Sequence, residues 1–281
     1  MESIKELRRI CQSTRPSIFE DPLSRIYYKI SIYFTWFCLV LRMSANQVTI
    51  LSGLIAILGG FLISFESIYI TLMGGLCFHI FAILDMSDGE VARYRDQGGV
   101  EGHYLDWFMH FITPTALVMG LFLSSAGSLD NKILLILGLI AVVVPLLSKS
   151  VQNAGWTVIV WTILRDKKSG NLSTFKLSQS KIKQNRSKFY KLIRLILTSP
   201  FEDRWSSLLI LTLPLANLLS VALGINFIDY KFFWLIYMGL IGPIYLFIKV
   251  RELIQYSSLL KGYNRLVDPS HKVILPKDDF L

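Results

Sequence analysis

Residues Leu84–His110 read LDMSDGEVARYRDQGGVEGHYLDWFMH and join two strongly apolar runs of the chain. The aspartates Asp85, Asp88 and Asp106 stand at the edges of those runs, where an acid is energetically expensive. On a helix, Asp85 and Asp88 share a face because they are three residues apart, and Asp106 and His110 share another because they are four apart. Two antiparallel helices joined by a short turn would bring these faces together. The stretch therefore predicts a helical hairpin with a carboxylate cluster near a membrane boundary.

The composition of the whole chain agrees with a membrane protein. Of its 281 residues 53% are hydrophobic, and the mean hydropathy is +0.50, which is too apolar for an ordinary soluble domain. The three cysteines are an odd number without the spacing of a disulfide framework, so we expect reduced thiols. The net charge of +9 fits either nucleic acid or an anionic membrane surface. No basic and aromatic module stands apart from the apolar runs, so we expect no nucleic-acid partner.

Six stretches are long and apolar enough to cross a hydrocarbon core, which takes roughly 20 residues of helix. A shorter apolar segment, 30–41, has basic residues on both sides and is predicted to be an interfacial helix. The sequence thus predicts an all-α membrane protein of six transmembrane helices, preceded by an N-terminal amphipathic or interfacial helix. The predicted spans are about 47–65, 67–86 (its helix running on to about 95), 103–125, 132–160, 206–224 and 231–250.

Basic residues concentrate on one side of this topology. Residues 1–46 carry seven Lys or Arg, 165–204 carry eleven and the chain after 248 carries six, whereas the opposite connections hold only Lys132 and Lys231. The positive-inside rule then places both termini in the cytoplasm. We accordingly divide the chain into an N-terminal cytoplasmic or interfacial segment (1–46), a membrane domain (47–255) with a basic cytoplasmic loop (165–204), and a cytoplasmic tail (256–281). The second half of that loop, 181–197, is predicted to be either an amphipathic surface helix or a solvated basic loop.

The clustered carboxylates indicate a metal site. Acids packed together repel one another unless a cation neutralises them, and hard oxygen ligands suit Mg²⁺ or Mn²⁺ with substrate phosphates completing the shell. The alternative is a set of solvated acids at a helix end, paired with Arg93 and Arg95. Asp96 precedes Gln97 and two glycines, so we expect it to be a turn residue.

The pattern resembles that of the integral-membrane CDP-alcohol phosphotransferases, D-x2-D-G-x2-A-R-x8-G-x3-D-x3-D. Seven of the eight defining positions agree with every spacing kept, and the eighth is His110 in place of aspartate. The stretch SANQVT at 44–49 also resembles the PNxxT-like start of the first span in many members. The matching positions are Asp85, Asp88, Gly89, Ala92, Arg93, Gly102 and Asp106.

The resemblance implies a transferase that moves a substituted phosphate from a CDP-linked donor to an acceptor alcohol and releases CMP. It implies that Asp85, Asp88 and Asp106, with His110, hold a binuclear Mg²⁺ or Mn²⁺ site, and that Asp106 and His110 are catalytic. The donor would be CDP-diacylglycerol or a CDP-linked small alcohol, and the acceptor a small alcohol or a lipid. A homodimer is also implied. By position in the pattern, the residues expected to bind the CDP moiety are Gly89, Ala92, Arg93 and Gly102.

His110 departs from the family's final aspartate, which is usually assigned as the general base. One interpretation is that His110 takes the proton of the acceptor hydroxyl directly, because a neutral imidazole is a competent base. A second is that it is a metal ligand or spacer, while water or another residue takes the proton. A third is that the site is impaired or repurposed. His103 is a possible helper, and His79 is expected to be a hydrogen-bonded core residue.

Lys149 interrupts the fourth predicted span in its cytoplasmic half. A lysine at such a depth requires an anion or access to the interface. It could bind a phosphate or carboxylate of a substrate, or it could extend toward the cytoplasmic interface or pair with an acid.

Two function classes therefore follow from the sequence. The first is a CDP-alcohol phosphotransferase of phospholipid or related polar-lipid synthesis, embedded among membrane lipids with its site facing the cytoplasm. The second is a catalytically impaired member that binds or transports a nucleotide-linked lipid. The compact length and the lack of an early targeting segment favour the cytoplasmic membrane of a prokaryote.

Overall fold

The computed structural model describes residues 2–13, 22–97, 99–125, 132–169 and 230–255, together with the single positions 215, 218, 219 and 222. Across these ranges every regular element is a helix, and no strand is present among them. The helices whose bounds fall within the described ranges are α1 (Ile4–Gln12), α2 (Pro22–Val40), α3 (Ala45–Ile63), α4 (Ile68–Arg95), α5 (Val100–Ser124), α6 (Lys132–Ser169) and α7 (Tyr230–Gln255).

Five of these helices, α3 to α7, are long and apolar enough to cross a membrane. They correspond to the first, second, third, fourth and sixth spans predicted from the sequence. The predicted span 206–224 lies almost wholly outside the described residues, as do the basic loop beyond Ser169 and the amphipathic helix predicted at 181–197. The number of spans and the side on which the termini lie therefore stay predictions.

The helix boundaries follow local chemistry. Ser44 begins α3 with a capping box, because its hydroxyl accepts from the Gln47 amide and the Gln47 side chain accepts from the Ser44 amide. At its other end α4 stops at Asp96, which adopts a left-handed conformation with φ 51°. Aspartate is one of the few non-glycine residues that tolerate this region. Asp96 is thus the exposed turn residue that the sequence predicts.

Two elements extend beyond the sequence prediction. The helix expected at 30–41 begins at Pro22, so α2 is 19 residues long, and it is not among the five candidate spans. The fourth predicted span, 132–160, continues as helix to Ser169. In both cases a search for apolar runs finds only the apolar part of the helix, whereas the helix itself continues into polar sequence.

The packing brings α3 against both α4 and α5. At Gly60 a Cβ atom would lie 2.3 Å from the Ala116 carbonyl oxygen, and at Gly120 it would lie 2.1 Å from that of Gly60, so only glycine permits this approach of α3 and α5. The main apolar core is formed by residues of all five helices from α3 through α7. It includes Ala56, Phe78, Phe81, Leu117, Leu121, Ala141, Leu235 and Met238. The close contact of α3 with both α4 and α5 fixes the distance between the two helices that carry the aspartates.

A buried lysine ties three of these helices together at the end of the bundle opposite the α4–α5 turn. Lys231 of α7 is 3% exposed, and its ammonium donates to the carbonyls of Ile63 (2.9 Å) and Phe65 and to the Ser124 hydroxyl (3.0 Å). Ile63 and Ser124 are the last residues of α3 and α5. A cation at helix C-termini satisfies carbonyls that lack a partner within their own helix.

We expect Lys231→Met to lower the thermal stability of the purified protein in detergent by several degrees. The substitution keeps the apolar stem but leaves the buried Ile63 carbonyl and two part-buried acceptors without their donor, and a buried unsatisfied group costs about 1–3 kcal/mol. Thermal unfolding of Lys132→Met is the matched control, because Lys132 is exposed at the start of α6. Equal melting temperatures for the two variants would show that the Lys231 contacts do not stabilise the fold.

Candidate metal centre and active site

Three of the predicted site residues meet between α4 and α5. Nε2 of His110 lies 3.5 Å from Oδ1 of Asp85 and 3.5 Å from Oδ1 of Asp106. One ligand atom from each of the three residues lies within 4.8 Å of the other two. We call Asp85, Asp106 and His110 the acid–histidine cluster. The hairpin predicted from the sequence thus forms, and it places His110 beside both acids.

The cluster is reachable from outside the helices. The side chains of Asp85, Asp106 and His110 are 26%, 33% and 30% exposed, which leaves room for ligands that come from solution. Two carboxylates and an imidazole at this separation suit one small divalent cation that keeps open positions for substrate oxygens. The donor set and its spacing therefore fit one divalent cation, and the second cation of the predicted binuclear site stays a prediction.

Asp88 occupies a deeper position than the cluster. It is 7% exposed, and its Oδ2 accepts a hydrogen bond of 2.6 Å from the Thr49 hydroxyl on α3. It is close enough to Asp85 and Asp106 to repel them electrostatically. The structure thus puts Asp88 next to the cluster but outside the group of three ligand atoms, and its role as a metal ligand stays a prediction.

Thr49 is a site residue that the sequence did not single out. It is 4% exposed, and it closes the stretch SANQVT, which resembles the start of the family's first span. Its contact with Asp88 crosses from α3 to α4, so no spacing within a single helix could reveal it. The resemblance of that stretch to the family was the signal, and it pointed to the segment without giving the partner of Thr49.

We expect Thr49→Val to weaken Mn²⁺ binding by about tenfold, because partners of metal-ligating carboxylates typically contribute 10–100-fold to affinity. Valine keeps the shape but removes the donor to Asp88. Titration of manganese followed by electron paramagnetic resonance measures the change. The control is Thr113→Val, since Thr113 is equally buried and its hydroxyl donates to the Met109 carbonyl of its own helix. Equal affinity in the two variants would contradict a role for the Thr49–Asp88 bond.

The small residues of the pattern lie close to other groups. A Cβ on Gly89 would lie 3.3 Å from Nη1 of Arg93, and one on Gly102 would lie 3.1 Å from the Asn46 side-chain oxygen. Ala92 packs against the apolar group formed around Cys38 and Val91. In both cases the nearest atom is the end of a polar side chain, which a small shift would move away, and room for a cytidine there stays a prediction.

Arg93 and Lys149 are the two predicted cationic contacts to substrate. Nε of Arg93 donates to the carbonyl of Cys11 in α1 at 2.6 Å, so one donor of this guanidinium is bound to the N-terminal helix. Lys149 is half-buried on α6, directly after Ser148, whose hydroxyl lies 3.4 Å from that of Tyr245 on α7. Their contacts with substrate stay predictions.

The remaining histidines differ in their surroundings. The Tyr27 hydroxyl lies 2.5 Å from Nδ1 of His79, which confirms that His79 is a hydrogen-bonded residue of the interior. His103 is exposed on α5, where its ring lies beside Trp107 with 6.5 Å between the centroids. Of the three histidines in the described part of the chain, His110 is the one that lies beside the aspartates.

The fold and the site together define a helical membrane protein with a cluster of acids and an imidazole suited to a divalent cation. A family model described as CDP-alcohol phosphatidyltransferase matches residues 42–197, more than half of the chain. The chain therefore belongs to the CDP-alcohol phosphatidyltransferase family. A search of curated proteins found no significant match. The matched range contains α3 to α6 and the acid–histidine cluster, but neither α1 nor α2.

Membership gives the general activity. Members of this family transfer a phosphate-linked group from a CDP-alcohol to an alcohol acceptor in lipid synthesis, and they generally depend on a divalent metal. Five apolar helices in the described part of the chain agree with an integral membrane protein.

Proposed function

We propose that this chain is a metal-dependent phosphotransferase that uses the acid–histidine cluster to transfer a substituted phosphate from a CDP-linked donor to an acceptor hydroxyl, with release of CMP. The observation that carries the proposal is the meeting of Asp85, Asp106 and His110 between α4 and α5, inside the range matched by the family model. Asp88, buried beside them, adds a further carboxylate.

Asp85, Asp106 and His110 would hold a divalent cation at the place where the donor's diphosphate binds. Divalent cations, when bound, neutralise the diphosphate and stabilise the charge that develops on the departing CMP. Asp85 contributes from α4, while Asp106 and His110 contribute from α5, so the two helices hold the site from opposite sides. Thr49 fixes the orientation of the Asp88 carboxylate.

His110 is proposed to accept the proton of the acceptor hydroxyl. The acceptor oxygen forms a new bond to the phosphorus of the transferred group, the bond from that phosphorus to the oxygen of CMP breaks, and the proton passes to an imidazole nitrogen. Nε2 faces the two carboxylates, which favours this nitrogen for the task. A role as metal ligand would occupy the same nitrogen, so the two roles are separable by experiment.

The proposed orientation places the turn between α4 and α5, and hence the open side of the cluster, in the cytoplasm. Arg93 and Arg95 in the last turn of α4 support this orientation. We further propose that the chain forms a homodimer, as the family resemblance implies.

Release of CMP from a panel of CDP donors tests the proposed reaction. The purified protein is incubated with CDP-diacylglycerol or with CDP-linked small alcohols, each with candidate acceptors and with Mn²⁺ or Mg²⁺. The proposal expects CMP only when donor, acceptor and metal are all present. Metal-dependent CDP binding without CMP release from any donor would instead indicate a binding or transport protein.

A further inference from the structure

The back of α4 carries a carboxylate that the proposed reaction does not use. Glu90 is fully buried, and three side chains donate hydrogen bonds to it. Gln12 and Ser31 donate to its Oε1 at 2.8 and 2.7 Å, and Thr35 donates to its Oε2 at 2.6 Å. A buried carboxylate is unfavourable unless such donors compensate it, and hydrogen bonds to an acid are among the stronger ones in proteins. The contacts therefore join α4 firmly to both α1 and α2.

Glu90 lies on the side of α4 opposite to the aspartates. At 100° per residue, Glu90 is rotated by about 140° from Asp85 and by about 160° from Asp88. A carboxylate oxygen lies roughly 5–6 Å from the helix axis, so a rotation of α4 by about 20° would move this oxygen by about 2 Å. Metal–ligand distances tolerate only about 0.2 Å. Any contact that fixes the rotation of α4 thus determines whether the aspartates can bind a cation.

Further bonds hold the same side of α4 to the N-terminal helices. The Tyr94 hydroxyl donates to the Glu2 carboxylate at 2.5 Å, and the Nε of Arg93 donates to the Cys11 carbonyl at 2.6 Å. An apolar group formed by Leu7, Cys11 and Ile32, with Tyr94 packed against it, fills the space between α1, α2 and α4. All of the α1 and α2 partners precede residue 42, where the family match begins.

We propose that Glu90 is a positioning residue, which anchors α1 and α2 to the back of α4 and thereby fixes the rotation at which Asp85 and Asp88 face α5 and α3. This inference rests on the proposed function, because it assigns the anchor a role in metal binding. The N-terminal segment outside the family match is then part of the machinery that shapes the site. A Glu90 that only adds stability would leave the metal affinity of the folded protein unchanged.

The thiol of Cys11 reports on the anchor without depending on any activity. Cys11 is fully buried between α1 and α4, and burial, with a smaller effect of the nearby Glu90 charge, raises its pKa to about 11. Release of α1 would expose the thiol and return its pKa toward the ordinary value. The lower pKa increases the fraction of thiolate, and the exposure lets a maleimide reach it. In a chain whose Cys38 and Cys77 are replaced by alanine, the labelling rate therefore measures the docking of α1.

The experiment compares Glu90→Ala and Glu90→Gln in the full chain in detergent, with Glu66→Gln as the control. Glutamine keeps one acceptor oxygen for Gln12 and Ser31 and can donate its amide to the Thr35 hydroxyl, and its loss of charge separates the electrostatic effect on Cys11 from undocking. Glu66 is exposed in the turn between α3 and α4. Maleimide labelling of Cys11 and paramagnetic resonance titration with manganese alone are measured on each variant. If Glu90→Ala does not fold, the single variant Thr35→Val, which removes one donor and leaves the other two, takes its place.

We expect Glu90→Ala to speed Cys11 labelling by at least about tenfold. We also expect it to weaken manganese binding by about tenfold or more, because removal of groups that orient metal ligands typically lowers metal affinity by that amount. Glu90→Gln should stay within about threefold of the unsubstituted protein in both measurements. Faster labelling with unchanged manganese affinity would overturn the positioning role and leave a structural anchor. No change in either measurement would overturn the anchor itself. Absence of manganese binding by the unsubstituted chain, with Cys11 still protected, would instead refute the metal site of the proposed function.

Discussion

Asp85→Asn is expected to lower the rate of CMP release by about 10³-fold, because it removes the contribution of α4 to the acid–histidine cluster. The two remaining members, Asp106 and His110, lie four residues apart on α5. Asparagine keeps the size of the side chain but carries no charge to neutralise a cation. The remaining pair would hold a cation from α5 alone. Initial rates of CMP release at saturating donor measure the effect.

The matched control for this prediction is Asp96→Asn. Asp96 is an acid of the same stretch, but it is exposed and serves as the left-handed residue that ends α4. Asparagine tolerates that conformation as well as aspartate does, so the control should keep nearly full activity. Equal activities of Asp85→Asn and Asp96→Asn would show that the acid–histidine cluster takes no part in the reaction.

His110→Ala is expected to reduce kcat by about 10²–10⁴-fold, the usual contribution of a general base. His110→Asp should restore a large part of the activity, because aspartate stands at this position in the family pattern. His103→Ala is the control, since His103 is exposed on the same helix. Full activity of His110→Ala would exclude His110 as the base.

Manganese titration of the same variant separates the two roles of His110. If the imidazole is the base, His110→Ala should bind manganese with nearly unchanged affinity while kcat falls. If it is a ligand, the affinity should fall as well, because one of the three atoms of the cluster is lost. Nε2 lies 3.5 Å from an oxygen of each carboxylate, so either result shows whether this nitrogen binds the metal or the proton.

The hairpin at the site follows from sequence patterns that act over one helix turn. The apolar run before Asp85 and the spacing up to Arg95 predict a helix that ends near Asp96, and α4 ends there. The spacing of four between Asp106 and His110 predicts a shared face, and the two side chains do meet. Such features depend on neighbours three or four residues apart, which the sequence displays directly.

The contacts across helices could not be derived in this way. Periodicity shows which face of α4 carries Asp88 or Glu90, but not which helix lies opposite that face. Thr49 reaches Asp88 from α3, 39 residues earlier in the chain, and Gln12 reaches Glu90 from α1, 78 residues earlier. Glu90 also stands at an unspecified position of the family pattern, so the resemblance assigned it no role. The start of α2 at Pro22 escaped detection because the apolar run begins only near residue 30.

The central claim is that an acceptor hydroxyl displaces CMP at phosphorus, and an acceptor alcohol labelled with heavy oxygen at that hydroxyl tests it most directly. Mass spectrometry follows the label after incubation with the CDP donor that supports turnover and with manganese. The account predicts that the heavy oxygen appears in the phosphate ester of the product, in equal amount to unlabelled CMP. CMP formed without an acceptor, or a product whose ester lacks the label, would contradict it.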